Sequence, residues 1–137
     1  MRVFFDSSAF VKRYVREDGS DAVLDWCERA DVLLLCVIAL PELISAFCRL
    51  QREGRLDTEQ YRRLKQDLLL DIADAQICEL APEVLGDSIR TLEAHPLRAM
   101  DALHVAAALR SRADTFVSSD LRQCTAARGL GLAVVQV

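Results

Sequence analysis

Short apolar runs alternate along this chain with segments of helical periodicity. The run Val32–Val37 has no polar alternation, which is typical of a strand covered by helices on both faces. Val3–Phe5 and Thr115–Ser118 are similar runs, and stretches of helical length separate the three. This pattern predicts a three-layer α/β/α fold with a central, largely parallel sheet. At 137 residues, the chain is expected to form a single domain, residues 1–137.

Helices are predicted from apolar residues at helical spacing and from capping residues. The first helix follows Ser7 and Ser8, either of which could cap it. A later helix, Ala99–Arg112, is apolar nearly all round and is expected to pack inside the molecule. The other predicted helices begin near Ser20, Leu40, Thr58, Pro82 and Leu121, and further strands are predicted at Ala75–Leu80 and Leu132–Val135.

Composition and patterning exclude several classes of protein. The longest apolar stretch, Val32–Pro41, is far shorter than the roughly 20 residues that cross a bilayer, and the first residues do not resemble a secretion signal. We therefore expect a cytoplasmic protein with no membrane partner. The net charge of −4 has the wrong sign for holding nucleic acid by bulk electrostatics, so a polyanion must be bound locally. The five cysteines are odd in number and lack a C-x-x-C spacing, and we expect them to be small buried side chains.

Four acidic residues stand at the ends of predicted elements. Asp6 and Asp120 directly follow apolar strands, while Glu42 and Asp101 lie at the starts of helices. In a parallel sheet, the carboxyl ends of the strands share one edge, where ligands generally bind, so all four could converge there. Each acid also has a structural alternative: Asp6 and Asp120 could cap helices, and Glu42 and Asp101 could complement helix dipoles.

Several carboxylates at one edge would repel each other, and a divalent cation would relieve that repulsion. Oxygen ligands with remaining water positions describe Mg²⁺, with Mn²⁺ as an alternative. Such an ion activates water and polarises phosphoryl oxygens, which favours metal-assisted hydrolysis of phosphodiester bonds. The sequence thus predicts metal ligands at Asp6, Glu42, Asp101 and Asp120.

Four segments carry a further signal: Asp6–Lys12, Pro41–Leu43, Arg98–Ala108 and Phe116–Asp120, of which the segment around Asp101 is the most specific. Together they resemble PIN-domain ribonucleases, and in particular the VapC-type toxins of bacterial toxin–antitoxin modules. The resemblance spans essentially the whole chain. It implies a PIN-like fold and a Mg²⁺- or Mn²⁺-dependent endoribonuclease.

The resemblance also implies site residues and partners. The acidic residues of the family match Asp6, Glu42, Asp101 and Asp120, and Ser118 matches a hydroxyl position that orients a metal-bound water or a carboxylate. Family members usually form homodimers, cleave RNA and are silenced by an antitoxin protein. Some members carry a further acid just after the last aspartate, where this chain has Arg122 and Gln123, so occupancy of a second metal position is open.

Other interpretations stay open at this point. The chain could be a catalytically silent PIN-like module that binds a protein or RNA partner. Phospho-accepting receiver domains and haloacid-dehalogenase-like phosphatases also use an acidic sheet edge, but their adjacent or alternating acid pairs are missing around Asp6.

Two further sets of side chains allow more than one role. We expect His104, three residues after Asp101, to be a hydrogen-bonded structural histidine rather than a metal ligand. Lys12, Arg13, Arg16 and Arg98 could hold RNA beside the acids or simply form a solvated face.

Overall fold

The computed structural model describes all 137 residues and contains one sheet of five strands. The strands are β1 (Arg2–Phe5), β2 (Val32–Cys36), β3 (Gln76–Cys78), β4 (Thr115–Ser118) and β5 (Val134–Gln136). Their order across the sheet is β3-β2-β1-β4-β5, and every neighbouring pair is parallel. The expected parallel sheet is therefore confirmed, with β1 at its centre.

Seven α-helices connect the strands. They are α1 (Ser7–Phe10), α2 (Ser20–Arg29), α3 (Ala39–Arg52), α4 (Thr58–Asp74), α5 (Pro82–Ala94), α6 (Ala99–Arg110) and α7 (Leu121–Gly129), with a 3-10 turn (Val11–Arg13) after α1. Asp6 caps α1, which is the alternative role that the sequence allowed for this acid, and Ser7 and Ser8 do not, because the Asp6 carboxylate accepts the Ala9 N–H. Three predicted elements differ in their bounds by one or two residues. Helix α6 ends at Arg110 and not at Arg112, and β3 is Gln76–Cys78 and not Ala75–Leu80. The last strand begins at Val134, two residues later than predicted, because Leu132 N–H still bonds Ala127 O at the end of α7.

The two faces of the sheet bury separate apolar cores. Side chains alternate along β1, so Val3 and Phe5 pack under the layer of α1 to α4, whereas Phe4 packs with Phe116 under α5, α6 and α7. Because both faces are covered, the central strands carry no polar alternation. This explains the apolar runs in the sequence and confirms the three-layer arrangement.

Helix α6 lies in the interior, as its composition predicts. Residues Ala102 and Val105–Ala108 are all buried. Since α6 leads into the start of β4, its first turn lies at the opposite edge of the sheet, where the strands end. Neither α6 nor any other helix combines the length and apolar character that crossing a membrane requires.

A polar cluster holds α4 to the segment that follows β1. Asp71 on α4 accepts hydrogen bonds from Arg13 Nε at 2.8 Å and from Tyr14 Oη at 2.5 Å. Burial by itself raises the pKa of the Asp71 carboxyl, but these hydrogen bonds more than offset it, so the pKa lies below its ordinary value. The ionised carboxylate therefore stabilises the fold.

Replacing Asp71 with Asn should lower the free energy of unfolding at pH 7 by about 1–2 kcal/mol, since charged hydrogen bonds are lost. A carboxyl whose pKa is depressed on folding contributes fully above the unfolded value, near pH 4, and the contribution disappears as the pH falls through the folded value. Urea unfolding at pH 7, 5 and 3 should show the difference from wild type shrinking. Asp67→Asn, an exposed acid one turn earlier, is the control, and equal losses in both variants would contradict this role for Asp71.

Candidate active site

The first predicted acid, Asp6, ends the central strand and is completely buried. Its carboxylate accepts hydrogen bonds from Ala9 N at 2.9 Å, from Ser8 Oγ at 2.8 Å and from Ser118 Oγ at 2.6 Å. Ser8 belongs to α1 and Ser118 is the last residue of β4. The Asp6 carboxylate therefore joins the ends of two neighbouring strands through side chains.

Ser118 connects Asp6 to two of the other acids, Asp120 and Asp101. Its hydroxyl accepts the backbone N–H of Asp120 at 3.0 Å, and Asp120 caps α7 by accepting the N–H groups of Arg122 and Gln123. The Gln123 side chain then donates from Nε2 to Asp101 Oδ1 at 3.2 Å. Asp6, Asp120 and Asp101 thus belong to one hydrogen-bonded network.

Glu42 lies at the same edge, in the first turn of α3. Its Oε1 accepts from Ser7 Oγ at 2.9 Å and lies 2.5 Å from His104 Nε2. His104 is buried on α6, one turn after Asp101. The structure therefore brings all four predicted acids to the carboxyl edge of the sheet, with Glu42 held separately from the other three.

The site acids differ in their electrostatic environments. Burial raises the pKa of the Asp6 carboxyl, and the hydrogen bond from Ser118 offsets this only in part. Burial also raises the pKa of Asp101, and the negative charge of Asp120 adds to that effect. For Glu42, burial by itself raises the pKa, but the hydrogen bonds from His104 and Ser7 together with the charges of His104 and Arg98 outweigh it, so the pKa lies below its ordinary value.

The oxygen atoms of this site fit a hard divalent cation. Asp101 and Asp120 line one cleft of about 380 Å³ and repel each other, which a cation would relieve. No three His, Cys, Asp or Glu side chains form a ready-made metal centre. Mg²⁺ needs no such cage, since it commonly uses one or two carboxylates and completes its octahedron with water and phosphate oxygens.

Most of the basic residues that the sequence places near the first acid are engaged elsewhere. Arg13 pairs with Asp71, Arg16 pairs with the exposed Asp21, and Lys12 donates to the Asp18 carbonyl. Arg98 differs, because its exposed guanidinium lies 3.5 Å from Asp101. Of this group, only Arg98 stands beside the acids.

Sequence reasoning did not find the contacts of four supporting side chains. His104 is the hydrogen-bonded structural histidine that we expected, but its partner is the predicted ligand Glu42, a long-range contact that no local spacing reveals. Ser7 and Ser8 were expected only as caps, yet they donate to Glu42 and Asp6. Gln123 drew notice in the sequence only because some family members carry an acid near this position, yet its side chain donates a hydrogen bond to Asp101.

Comparison with known proteins identifies the family. The family model described as "PIN domain" matches residues 3–129. Ribonuclease VapC46 from Mycobacterium tuberculosis (strain ATCC 25618 / H37Rv) is 32% identical over 135 residues, which cover 97% of this chain and 95% of that protein. Ribonuclease VapC45 from M. tuberculosis (strain CDC 1551 / Oshkosh) is 32% identical over 107 residues, covering 78% of this chain and 74% of that protein. The chain belongs to the PIN-domain family.

Solved structures agree on the fold. A chain in a toxin–antitoxin complex from Klebsiella pneumoniae superposes with a TM-score of 0.70 at 13% identity, covering 98% of this chain and 96% of that chain. At this level of identity, the likeness establishes the fold alone. The PIN-like architecture expected from the sequence is therefore confirmed.

Replacing Ser118 with Ala should lower the free energy of unfolding by about 1–3 kcal/mol, because a fully buried carboxylate loses a donor and the Asp120 N–H loses its acceptor. Chemical denaturation at pH 7 measures the change. Ser45→Ala, at an exposed serine on α3, should be neutral by comparison. Equal stability of the two variants would show that the Asp6–Ser118 bond contributes nothing to the fold.

Proposed function

We propose that this protein is a divalent-metal-dependent endoribonuclease that hydrolyses RNA phosphodiester bonds, and that it is the toxin of a toxin–antitoxin pair. The observation that carries the proposal is the placement of Asp6, Glu42, Asp101 and Asp120 at one edge of the sheet, with Asp101 and Asp120 lining the same cleft. The names of its relatives, ribonucleases VapC46 and VapC45, support the reaction class. The proposed ion is Mg²⁺, with Mn²⁺ as an alternative.

Asp101 and Asp120 are the residues best placed to hold the ion. When bound, the cation lowers the pKa of a water molecule and stabilises developing charge on the phosphoryl oxygens. The Gln123 amide fixes the orientation of Asp101, and the first N–H groups of α7 fix that of Asp120. Both carboxylates are therefore held in a fixed orientation before the cation binds, which reduces the reorganisation that binding requires.

Asp6 and Ser118 form the base of the site. Because Asp6 is fully buried and caps α1, we assign its carboxylate the deepest ligand position, with Ser118 orienting both it and the Asp120 backbone. Glu42 is the fourth ligand and approaches from α3. Burial raises its pKa, but the hydrogen bonds from His104 and Ser7 and the nearby positive charges together bring the pKa below its ordinary value, so Glu42 is ionised at neutral pH.

The partner in the proposed pair is an antitoxin protein, and the functional unit is a homodimer. The toxin–antitoxin complex from Klebsiella pneumoniae, a chain of which shares this fold, supports the first assignment. Exposed apolar side chains on α4 and α5 supply surface for the contact with the antitoxin and for the contact between the two protomers. They include Leu69, Leu70, Leu85 and Ile89.

The direct test compares Asp101→Asn with wild type, after removal of any copurifying partner. Cleavage of a mixed, structured RNA pool should require Mg²⁺ or Mn²⁺, stop with excess chelator, and fall by at least about 100-fold in the variant, because the ion loses a charged ligand. Asp74→Asn makes the same chemical change at the end of α4, next to the start of β3, and should cleave normally. Asp6→Asn is a poorer choice, since Asp6 also caps α1.

Three results would argue against a metal nuclease. Equal cleavage by Asp101→Asn would show that this carboxylate is not part of the site. Cleavage that survives the chelator would show that the reaction needs no metal ion. Intact RNA with bound metal, across many RNA sequences, would favour the silent binding module. Thermal unfolding of each variant separates these results from misfolding.

His104 should act through Glu42. Replacing it with Leu removes the donor, so cleavage should fall by about 10–100-fold, the usual effect of losing the partner of a metal ligand. Replacing it with Gln keeps an N–H donor, and part of the activity should return. Titrating Mn²⁺ should show weaker affinity in the Leu variant than in the Gln variant; equal affinities and activities would give His104 a packing role only.

A further inference from the structure

Two cysteines lie opposite each other in the sheet. Cys36 is the last residue of β2 and Cys78 is the last residue of β3, and the register of these parallel strands pairs the two residues directly. Side chains at paired positions lie on the same face of a sheet, and both cysteines pack into the core under α5, α6 and α7. The two thiols are therefore neighbours, although the residues are far apart in the sequence.

The spacing of the strands permits a bond between these two sulfurs. Neighbouring strands lie about 4.8 Å apart, which is within the range of about 4.4–6.8 Å that separates the Cα atoms of a disulfide. All five cysteines are free thiols in this structure, and the other three, Cys27, Cys48 and Cys124, belong to three different helices. Cys36 and Cys78 are thus the pair that the backbone places in register.

Only one of the two thiols can meet an oxidant from solvent. Cys36 is completely buried, whereas Cys78 is partly exposed and lines a cleft of about 240 Å³ together with Glu79, Arg110 and Ser111, among others. A small oxidant in this cleft therefore reaches Cys78 first. Cys36 lies behind it, where it can react only with an oxidised Cys78.

The environment of the thiols makes their oxidation slow. Burial raises the pKa of Cys36 to about 11, and it also raises the pKa of Cys78, although the neighbouring Ser111 and the charge of Arg2 offset part of that effect. Both side chains are protonated at neutral pH, and it is the thiolate that attacks an oxidant. The pair is therefore suited to sustained oxidation and not to brief exposure.

The pair also lies where the chain enters α3. Only Val37 and Ile38 separate Cys36 from this helix, and the Ile38 carbonyl accepts the N–H of Glu42 at 3.2 Å. The Cys78 carbonyl accepts the N–H of Val37 at 2.9 Å. A shift of Cys36 relative to Cys78 is therefore transmitted to the first turn of α3, which carries Glu42.

We propose that Cys36 and Cys78 are a redox pair, that hydrogen peroxide converts it to a disulfide, and that this bond lowers activity by displacing Glu42. The Cys78 thiolate attacks one peroxide oxygen, the O–O bond breaks and water leaves, which gives a sulfenic acid. The Cys36 sulfur then attacks the Cys78 sulfur, the S–O bond breaks and a second water leaves. Two thiols and one peroxide thus give one disulfide and two waters, and two electrons pass to the peroxide.

The disulfide is expected to be strained and easily reduced. The strand spacing of about 4.8 Å exceeds the mean separation of about 3.8 Å between the Cβ atoms of a disulfide, so the two strand ends must move when the bond forms. Strained disulfides are the labile ones, and a dithiol should therefore restore both thiols. The effect on cleavage rests on the proposed ribonuclease function, whereas formation of the bond does not.

Formation of the bond is measured by mass and needs no RNA. In a Cys48→Ser background, the tryptic segments 30–49 and 66–90 contain one cysteine each, Cys36 and Cys78. After peroxide treatment and alkylation of the remaining thiols, digestion without reductant should give the two segments joined, and dithiothreitol should separate them. Adding Cys78→Ser should abolish the joined product. Its absence from the background variant, at peroxide levels that oxidise free glutathione, would overturn the proposal.

The effect on the site is measured in wild type before and after oxidation. Titration with Mn²⁺ should show an affinity at least about threefold weaker in the oxidised protein, because a displaced Glu42 loses its His104 partner. RNA cleavage should fall by a similar factor, and dithiothreitol should restore both. Peroxide-treated Cys78→Ser is the control, since it cannot form the bond but still contains the exposed Met100 beside Asp101.

The outcomes separate this inference from the proposed function. An equal loss in peroxide-treated Cys78→Ser would assign the effect to another oxidised side chain, and a disulfide that leaves Mn²⁺ affinity unchanged would show that Glu42 does not move. Either result overturns the proposed control of the site. If the disulfide forms and weakens Mn²⁺ binding, but reduced protein cleaves no RNA, the redox pair stands and the nuclease does not.

Discussion

The hydrogen bonding of the buried Asp6 carboxylate is the constraint on which the site depends. A buried carboxylate needs hydrogen-bond donors, and Asp6 is partly compensated by donors from its own helix and from the end of β4. This ties the register of the two central strands to the site, because Ser118 reaches Asp6 only if β1 and β4 end together. The same serine then positions Asp120 through its backbone. The fold and the site therefore share one set of hydrogen bonds.

The remaining acids are oriented by side chains from other parts of the chain. Gln123 holds Asp101, and Ser7 and His104 hold Glu42. These contacts divide the site into a paired group, Asp101 and Asp120, and a separately supported Glu42. Since Mg²⁺ needs few protein ligands, such an arrangement suits an ion that takes its remaining ligands from water and substrate.

Only some of the basic side chains of this protein lie close to the site acids. Arg13 and Arg16 pair with aspartates away from the site, whereas Arg98 lies beside Asp101. Arg49 lines a cleft with Glu42, and Arg122 lines a cleft with Asp101 and Asp120. An acidic protein with a few well-placed cations can bind a polyanion locally without binding nucleic acid indiscriminately. This is consistent with a nuclease that must position a strand.

The sequence by itself determined the layers, the parallel sheet and the location of all four acids at its carboxyl edge. These follow from local patterns, namely apolar runs covered on both faces and acids at the ends of strands or the starts of helices. It did not determine which hydroxyl or imidazole meets which carboxylate. His104 and Glu42 are 62 positions apart, and Ser118 and Asp6 are 112 apart, so only the packing of α6 against the sheet and the pairing of β1 with β4 bring them together. The tertiary structure likewise decided that Arg98 and not Arg13 stands beside the acids, because Arg13 pairs with Asp71, which is 58 positions away in the chain.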